Sequence, residues 1–301
     1  LERSELRSED EFGEFGYEDL EYYVDFRGTF DKLPLCPDDE SLRASGAELS
    51  VSDNDHGRRA LATEQGLTAE ADAARALQHA DGVFSSLPHD AALLKVAEQV
   101  ATHAKPGTFW VDTSTVSLTA SATAAQICAA AGIEHVRTTV SGNNKMAEAA
   151  QLTVLASGPR ATYDRVLPLL HCWGANQFYL GEAEQARLMK LVINLMIAQT
   201  SAMLGEALTL GRKGGLDWHD MWRVMGASAV ASPIVKAKSV QLSQHDYTPT
   251  FTVGQMNKDI DLILGEGARL QVPLTQTAAT RQLMAAAQAQ GDGELDYAAI
   301  I

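Results

Sequence analysis

The stretch ARLMKLVINLMIAQTSAMLGEALTL, residues 186–210, is a long apolar segment with helical periodicity. Lys190 and Asn194 lie four residues apart in it, so one amine and one amide share a single face of the predicted helix. Because an unpaired buried charge is very costly, Lys190 either extends to solvent beside a core-edge Asn194 or has a function in a pocket. The polar residues within the stretch indicate a core helix rather than a membrane span.

The pattern of the chain differs on the two sides of this helix. From about residue 47, short apolar strands alternate with amphipathic helices, which predicts a parallel sheet of βα units. After Gly181 the pattern is helical to the C-terminus. We therefore predict an α/β fold: a doubly wound, parallel Rossmann-type sheet in a dinucleotide-binding domain, residues 1–182, and an all-helical domain, residues 183–301. The predicted strands are AELSVSD (47–53), GVFSSL (82–87), TFWVDT (108–113), HVRTTV (135–140), LTVLAS (152–157) and QFYL (177–180).

Composition narrows the classes of function. The 301 residues are 46% hydrophobic and 21% charged, which is typical of a soluble globular protein. The net charge of -15, with no basic cluster to offset it, argues against nucleic acid as a partner. Cys36, Cys128 and Cys172 have neither CxxC nor metal-type spacing, so we expect no metal site and a reduced, cytoplasmic protein. No targeting segment opens the chain, and we expect no membrane partner.

A second chemical motif follows the fourth of these strands. Ser141 and Gly142 come where a parallel strand runs into a loop, which is the edge at which open α/β sheets bind ligands. The Ser141 hydroxyl and the backbone N–H groups of Gly142 and Asn143 could hold a carboxylate through charge-assisted hydrogen bonds. Taken alone, the segment is equally well explained as a tight turn.

Three separated motifs together resemble the β-hydroxyacid dehydrogenase family, which includes 3-hydroxyisobutyrate dehydrogenase. They are the Val-Ser-Gly turn at residues 140–142, the pair Lys190 and Asn194, and FTVGQMNKDIDLIL at residues 251–264. The resemblance runs from about residue 42 to the C-terminus and is closest to the glyoxylate/succinic semialdehyde reductase branch. It implies a nicotinamide-dependent oxidoreductase whose second domain is similar to that of 6-phosphogluconate dehydrogenase.

The resemblance also implies roles for individual residues. Lys190 would exchange a proton with the substrate oxygen, and Asn194 would hold that amine and the substrate in place. The chemistry agrees, since hydride delivery to a carbonyl leaves negative charge that an ammonium both stabilises and protonates. The remaining assignments are Ser141, Gly142 and Asn143 on the substrate carboxylate, Phe251 and Asp259 lining the site, and Lys258, Leu87, Pro88, Ser114 and Thr115 near the cofactor.

The chain departs from the family pattern near the two main motifs. Thr139 stands where the family has proline before the Val-Ser-Gly turn, and Asn143 stands where it has a second glycine. Glu184 and Ala186 replace small residues just before the lysine-bearing helix. These changes alter the shape of the pocket, so the motifs do not identify the substrate.

The glycine-rich turn that holds a pyrophosphate in dinucleotide-binding folds is missing from its expected place. About 20 residues before Asp53, the acid expected at the ribose, the chain reads RGTFDKLPLCP (27–37) with one glycine. EFGEFGYE (11–18) has a glycine pair but no preceding strand, and EYYVDF (21–26) is the best candidate to open the sheet. Residues 1–41 are therefore atypical: a diverged or replaced segment, a corrupted reading frame, or a real loss of cofactor binding.

Asp53 also bears on which cofactor is used. At the end of its strand, it would accept both ribose hydroxyls and repel a 2′-phosphate, so NAD is favoured over NADP. Arg58 and Arg59 could instead receive that phosphate, which keeps NADP open.

The predicted reaction is reversible hydride transfer between a nicotinamide cofactor and a short hydroxy acid or its semialdehyde or 2-oxo acid partner. By analogy with related proteins, we expect a homodimer or homotetramer formed through the helical domain. Two alternatives stay open. One is imine reduction on the same scaffold, against which Lys190 argues, and the other is a non-catalytic binding protein that has lost its phosphate loop.

Overall fold

The computed structural model describes residues 23–27, 48–64, 66–143, 146–147 and 149–301. The glycine pair in residues 11–18 and most of the segment 27–37 lie outside the described residues, as does Cys36.

An eight-stranded sheet in the order β3-β2-β1-β4-β5-β6-β7-β8 forms the first part of the described chain. All six strands predicted between residues 47 and 180 are present, and β3 is an additional, very short strand. The strands are β1 Tyr23–Arg27, β2 Glu48–Ser52, β3 Thr68–Glu70, β4 Gly82–Ser85, β5 Phe109–Asp112, β6 Glu134–Ser141, β7 Thr153–Ser157 and β8 Asn176–Tyr179.

The Rossmann-type α/β class is confirmed, but the sheet is mixed rather than wholly parallel. Strands β2 to β6 share one direction, whereas β1, β7 and β8 run against them. The reversal at β7 has a simple cause, because the connection from Ser141 to Thr153 is too short to carry a parallel crossover. The predicted parallel direction is therefore wrong for these three strands.

The direction of β1 bears on the phosphate turn. Tyr23 pairs with Ser52 and Arg27 pairs with Glu48, so β1 starts beside the carboxyl end of β2 and ends beside its beginning. Asp53 follows β2 at the carboxyl end. The chain therefore leaves β1 at the edge of the sheet opposite Asp53, whereas a Rossmann phosphate turn leaves its first strand on the same edge as the acid.

Helices cover both faces of the sheet, as expected for a doubly wound fold. Neighbouring residues of β5 alternate between the two faces: Trp110 packs with Leu93 and Ala124 on one face, and Phe109 packs with Val166 on the other. The helices of this part are α1 His56–Glu64, α2 Ala73–Leu77, α3 Asp90–His103, α4 Leu118–Ala130 and α5 Arg160–Leu170.

The rest of the chain is helical. Its elements are α6 Gln185–Lys213, α7 Trp218–Ala227, α8 Pro233–Leu242, α9 Val253–Arg269, α10 Thr275–Ala289 and a final 3-10 turn, Tyr297–Ile300. A capping box between Thr252 and Gln255 starts α9. By length and composition alone α6 could cross a membrane, but it packs against β6 and β7 of the sheet and against α9 and α10 of the helical part. It thus joins the two parts of the molecule.

Candidate active site

Lys190 lies beside the turn that ends β6. Its Nζ donates a hydrogen bond of 2.8 Å to the carbonyl oxygen of Val140, the residue immediately before Ser141. The lysine is half-buried, so its ammonium is neither in bulk water nor without a partner. The packing of α6 on β6 thereby brings together two motifs that are 50 residues apart in the chain.

The turn itself requires glycine at one position. Gly142 has φ +150°, and a Cβ built there would lie 2.5 Å from Leu152 Cδ2. Asn143 closes the next turn, since its Oδ1 accepts a hydrogen bond of 3.0 Å from the N–H of Met146. Ser141 is half-buried and pairs with Thr153 in the sheet. The three predicted carboxylate-binding residues are therefore consecutive in a constrained turn beside Lys190.

The amide of Asn194 binds the carboxylate of Asp259. Asn194 Nδ2 donates to Asp259 Oδ2 at 2.5 Å, and both residues are buried. The neighbouring Lys258 Nζ lies 3.3 Å from Asp259 Oδ1 and donates a bond of 3.0 Å to the carbonyl oxygen of Thr115. Asn194 thus ties α6 to α9, and Lys258 ties α9 to the loop after β5.

A cavity of about 280 Å³ lies where the loops after β4 and β5 meet α9. Two of the predicted cofactor residues, Thr115 and Lys258, line it together with His89, Asp90, Ala91 and Leu262. Its position at the carboxyl end of parallel strands is the usual place for a dinucleotide in an open α/β sheet.

Four other predicted residues are not among those that line the cavity: Leu87, Pro88, Ser114 and Phe251. Leu87 and Ser114 are buried and bind each other, with the Leu87 N–H donating to Ser114 Oγ at 2.7 Å. Pro88 is half-buried between Leu87 and the cavity-lining His89. Phe251 packs edge-on against Tyr297, with ring centroids 6.2 Å apart, at the border of the helical core.

Asp53 is a buried carboxylate with one unsatisfied oxygen. It is 4% exposed, its Oδ1 accepts a bond of 2.6 Å from the Asp55 N–H, and its Oδ2 has no hydrogen-bond partner among the residues that the structure describes. Arg58 Nη1 lies 3.8 Å from that oxygen, and Arg59 donates to the main-chain carbonyl of Asp53. Burial raises the pKa of Asp53, and the Asp55 N–H and the Arg58 charge oppose that rise. A buried acceptor without a donor suits a ligand hydroxyl.

Two ion pairs that local sequence did not predict fix α6 on the sheet. Arg187 and Asp112 form an ion pair in which both side chains are 0% exposed. Arg137 and Glu184 form a second pair, with 2.6 Å between Arg137 Nη2 and Glu184 Oε1. The only sequence signal for either pair was a charged residue inside an otherwise apolar strand or helix.

Thr139, which stands where the family has proline, binds the start of α6. The Thr139 hydroxyl donates to the carbonyl oxygen of Ala186 at 3.1 Å, and the Ala186 N–H donates to Ser157 Oγ at 3.2 Å. The departures from the family pattern at residues 139, 184 and 186 are therefore all part of the junction between the sheet and α6.

Comparison with known proteins gives a consistent result. Residues 40–181 match the model for the NAD binding domain of 6-phosphogluconate dehydrogenase, and residues 185–301 match that for the NAD-binding domain of NADP-dependent 3-hydroxyisobutyrate dehydrogenase. The 2-(hydroxymethyl)glutarate dehydrogenase of Eubacterium barkeri is 32% identical over 225 residues, which is 73% of this chain and 75% of the relative. Glyoxylate/succinic semialdehyde reductase 1 of Arabidopsis thaliana is 30% identical over 195 residues, 65% of this chain and 68% of the relative.

Solved structures share the fold. The 3-hydroxyisobutyrate dehydrogenase of Mycobacterium tuberculosis, solved with L-serine, superposes with a TM-score of 0.76 at 23% identity, covering 83% of this chain and 88% of that one.

Proposed function

This chain belongs to the β-hydroxyacid dehydrogenase family of NAD(P)-dependent oxidoreductases that act on hydroxy acids and semialdehydes, and we propose that it uses Lys190 to reduce a short carboxylate-bearing aldehyde or 2-oxo acid. The observation that carries the proposal is the hydrogen bond of 2.8 Å from Lys190 Nζ to the Val140 carbonyl. It holds a proton donor beside a constrained turn whose hydroxyl and backbone N–H groups can bind a carboxylate.

The turn after β6 forms the substrate end of the proposed site. The Ser141 hydroxyl and the N–H groups of Gly142 and Asn143 bind the carboxylate, which orients the reacting carbonyl toward Lys190. A bound nicotinamide cofactor supplies the hydride. Lys190 gives its proton to the substrate oxygen as negative charge develops there, and it stabilises that charge before the transfer.

The contacts of Asn194 and Asp259 support a positioning role beside Lys190. Asn194 follows Lys190 by one helical turn, and its bond to Asp259 fixes the depth at which α6 packs on α9. Lys258, held between Asp259 and the Thr115 carbonyl, adds positive charge at the wall of the 280 Å³ cavity. Thr115 and Lys258 would hold the nicotinamide half of the cofactor there.

The geometry around Asp53 supports NAD rather than NADP. The unsatisfied Asp53 Oδ2 can accept from a ribose hydroxyl, and a 2′-phosphate there would meet a carboxylate. Arg59 is held on the Asp53 carbonyl and Arg58 lies near its carboxylate, so both guanidinium groups are drawn to Asp53. Asp53→Asn should therefore raise the Kd of NADH several-fold, measured by cofactor fluorescence. The Kd values of NADH and NADPH should then lie closer together.

We propose two domains with a boundary near residue 182, between the end of β8 and the start of α6. The proposed homodimer or homotetramer is supported by an exposed apolar stripe on α6 with a seven-residue repeat. Its members are Met189, Met196, Met203 and Leu210, which are between 38% and 76% exposed. Light scattering of the purified protein tests the oligomeric state, and cell fractionation tests the proposed cytoplasmic location.

The proposed activity is tested by assaying glyoxylate, succinic semialdehyde, tartronate semialdehyde and 3-hydroxyisobutyrate, each with NAD(H) and NADP(H). We expect turnover of at least one of these acids and tighter binding of NADH than of NADPH. If neither reduced cofactor changes the protein or cofactor fluorescence at millimolar concentration, a non-catalytic binding protein replaces the proposal.

A further inference from the structure

The completely buried ion pair between Arg187 and Asp112 lies at the junction of α6 and the sheet. All three nitrogen atoms of the Arg187 guanidinium group donate hydrogen bonds. Nη2 donates to Asp112 Oδ1, Nη1 donates to the carbonyl oxygen of Ser114, and Nε donates to Ser121 Oγ at 3.2 Å. Such a planar fork, with three partners fixed at different angles, is available to arginine but not to lysine.

The Asp112 carboxylate extends this contact to the two loops that border the cavity. Its Oδ1 accepts from the Ser114 N–H at 3.1 Å, and its Oδ2 accepts from the hydroxyls of Ser114 and Ser85. Ser114 Oγ in turn accepts from the Leu87 N–H at 2.7 Å. One buried network therefore connects α6, the loop after β4 and the loop after β5.

Position along α6 gives this network a consequence for Lys190. Arg187 precedes Lys190 by three residues, close to one helical turn, so the two side chains leave neighbouring faces of the helix. Any rotation or sliding of α6 that moved Lys190 would break the contacts of Arg187 with Asp112 and Ser114. A shift of the two loops would likewise break these contacts or move α6, and with it Lys190.

Stability alone is a poor explanation for such a pair. The cost of desolvating two charges often exceeds their attraction, and well-packed apolar side chains commonly serve a core equally well. Ser114, which binds both Arg187 and Asp112, lies on the loop after β5 and in turn binds Leu87 on the loop after β4, and this points instead to a requirement for geometry. The other pair that anchors α6, Arg137 with Glu184, is bound outside both loops.

We propose that Arg187 is a positioning residue that sets the distance between the proton donor Lys190 and the cofactor-binding loops at Leu87 and Ser114. This inference rests on the proposed function for its effect on turnover. Its structural part, that Arg187 holds the two loops in place before any cofactor binds, stands apart from the reaction and can be measured separately.

The experiment compares Arg187→Lys, and Arg187→Met combined with Asp112→Asn, with the unaltered protein. Three quantities are measured: amide hydrogen exchange at Leu87 and Ser114 without cofactor, the Kd of NADH, and kcat with KM for the best substrate. We expect faster exchange at both amides, a Kd raised about tenfold and a kcat lowered about 10- to 100-fold, since small misplacements of reacting groups cost that much. KM should change less than kcat.

The matched control is Arg137→Met combined with Glu184→Gln, which removes the other buried anchor of the same helix. It should lower Tm but leave exchange at Leu87 and Ser114 and the Kd of NADH unchanged. The proposal is overturned if Arg187→Lys keeps the original exchange rates, Kd and kcat, or if the control alters them equally. Should the double Arg187 variant not fold, Arg187→Lys decides the outcome, because it retains a charge opposite Asp112.

Failure of this inference is distinguishable from failure of the proposed function. Lys190→Ala should lose turnover while keeping both the NADH affinity and the slow exchange at Leu87 and Ser114. If the unaltered protein turns over none of the four acids, the proposed function fails. The exchange measurement on the cofactor-free protein still decides whether Arg187 positions the loops.

Discussion

The two ends of the proposed site differ in how their buried carboxylates are compensated. At the substrate end, Lys190 is bound to the Val140 carbonyl, Asn194 is bound to Asp259 Oδ2, and Lys258 Nζ lies 3.3 Å from Asp259 Oδ1. At the ribose end, Asp53 Oδ2 is buried without a hydrogen bond to any described residue, and Arg58 Nη1 lies 3.8 Å from it. Buried polar groups are nearly always paired, so this oxygen is retained against stability.

The difference teaches how each end would act. The substrate end is organised by contacts within the chain, so changes there should affect rate or substrate binding at once. We propose that a cofactor ribose completes the other end, so changes there should affect cofactor choice and should not destabilise the cofactor-free protein. The following four variants test this distinction, starting with the largest expected effect.

Lys190→Ala removes the proposed proton donor. We expect kcat to fall by about 10²- to 10⁴-fold, the usual contribution of a positioned acid or base. The Kd of NADH should stay the same, and added small primary amines should restore part of the rate. Lys213→Ala, at the exposed end of the same helix, is the control and should keep the original kcat. Unchanged turnover in Lys190→Ala would make the lysine structural.

Gly142→Ala tests the carboxylate grip. Alanine strongly disfavours φ +150°, and its Cβ would meet the Leu152 side chain, so the backbone N–H groups of the turn must reorient. Losing one charge-assisted hydrogen bond costs about 1.5–3 kcal/mol, so we expect KM to rise at least about tenfold with a smaller change in kcat. Steady-state kinetics with a carboxylate substrate and with its methyl ester separate the effects. A KM increase that is equal for acid and ester would exclude the turn as the carboxylate site.

Asn194→Ala leaves the buried Asp259 carboxylate without its amide donor. We expect a loss of about 1–3 kcal/mol in unfolding free energy, the penalty for an unpaired buried group, and a kcat about tenfold lower. Asn257→Ala is the control, because Asn257 is likewise a buried amide but lies on α9 and binds the Met284 carbonyl. It should lower stability without lowering kcat. Equal kcat losses in the two variants would remove any special role for Asn194.

Asp53→Asn should show the smallest effect of the four variants. It should raise the stability of the protein, whereas the other variants lower activity, substrate binding or stability. Burial raises the pKa of Asp53 above the ordinary value of 3.8, so the folded state binds more protons than the unfolded state between these two values. Stability therefore falls as pH rises through that window, and the asparagine variant escapes the loss. We expect its Tm at pH 7 to exceed that of the unaltered protein by less than about 2 °C.

This gain should disappear as the pH is lowered toward 3.8. Asp55→Asn provides the contrast, because the Arg58 N–H lowers the pKa of Asp55 and makes that carboxylate stabilising at neutral pH. A lower Tm for Asp53→Asn at pH 7 would show that the carboxylate stabilises the fold, which would contradict a role confined to ligand binding.

Much of the fold was predictable from local pattern. The strands from β2 onward are short apolar runs between turn signals, and they lie where they were expected apart from one or two residues at their ends. The three-residue β3 is too short for periodicity to show. The directions of β1 and β7 depend on how the chain connects neighbouring strands, which the alternation of apolar residues does not encode.

The candidate site was less accessible to sequence reasoning. A lysine and an asparagine on one helical face indicated a function, and the family resemblance indicated the turn that they would face. The partner of Asn194 was not predictable, because Asp259 lies 65 residues away. The same is true of Arg187, whose carboxylate partner is 75 residues distant. Long-range pairs of this kind are fixed by packing, and local sequence gives only the charged residue in need of a partner.

The central claim is that one amine and one carboxylate-binding turn act on the same small molecule. A crystal structure with NADH and oxalate, an unreactive analogue of glyoxylate, tests it most directly. The account predicts one carboxylate of oxalate on Ser141 and the N–H groups of Gly142 and Asn143, with Lys190 Nζ within about 3 Å of an oxygen of the other. Oxalate bound away from this turn, or held there with Lys190 still turned to the Val140 carbonyl alone, would contradict it.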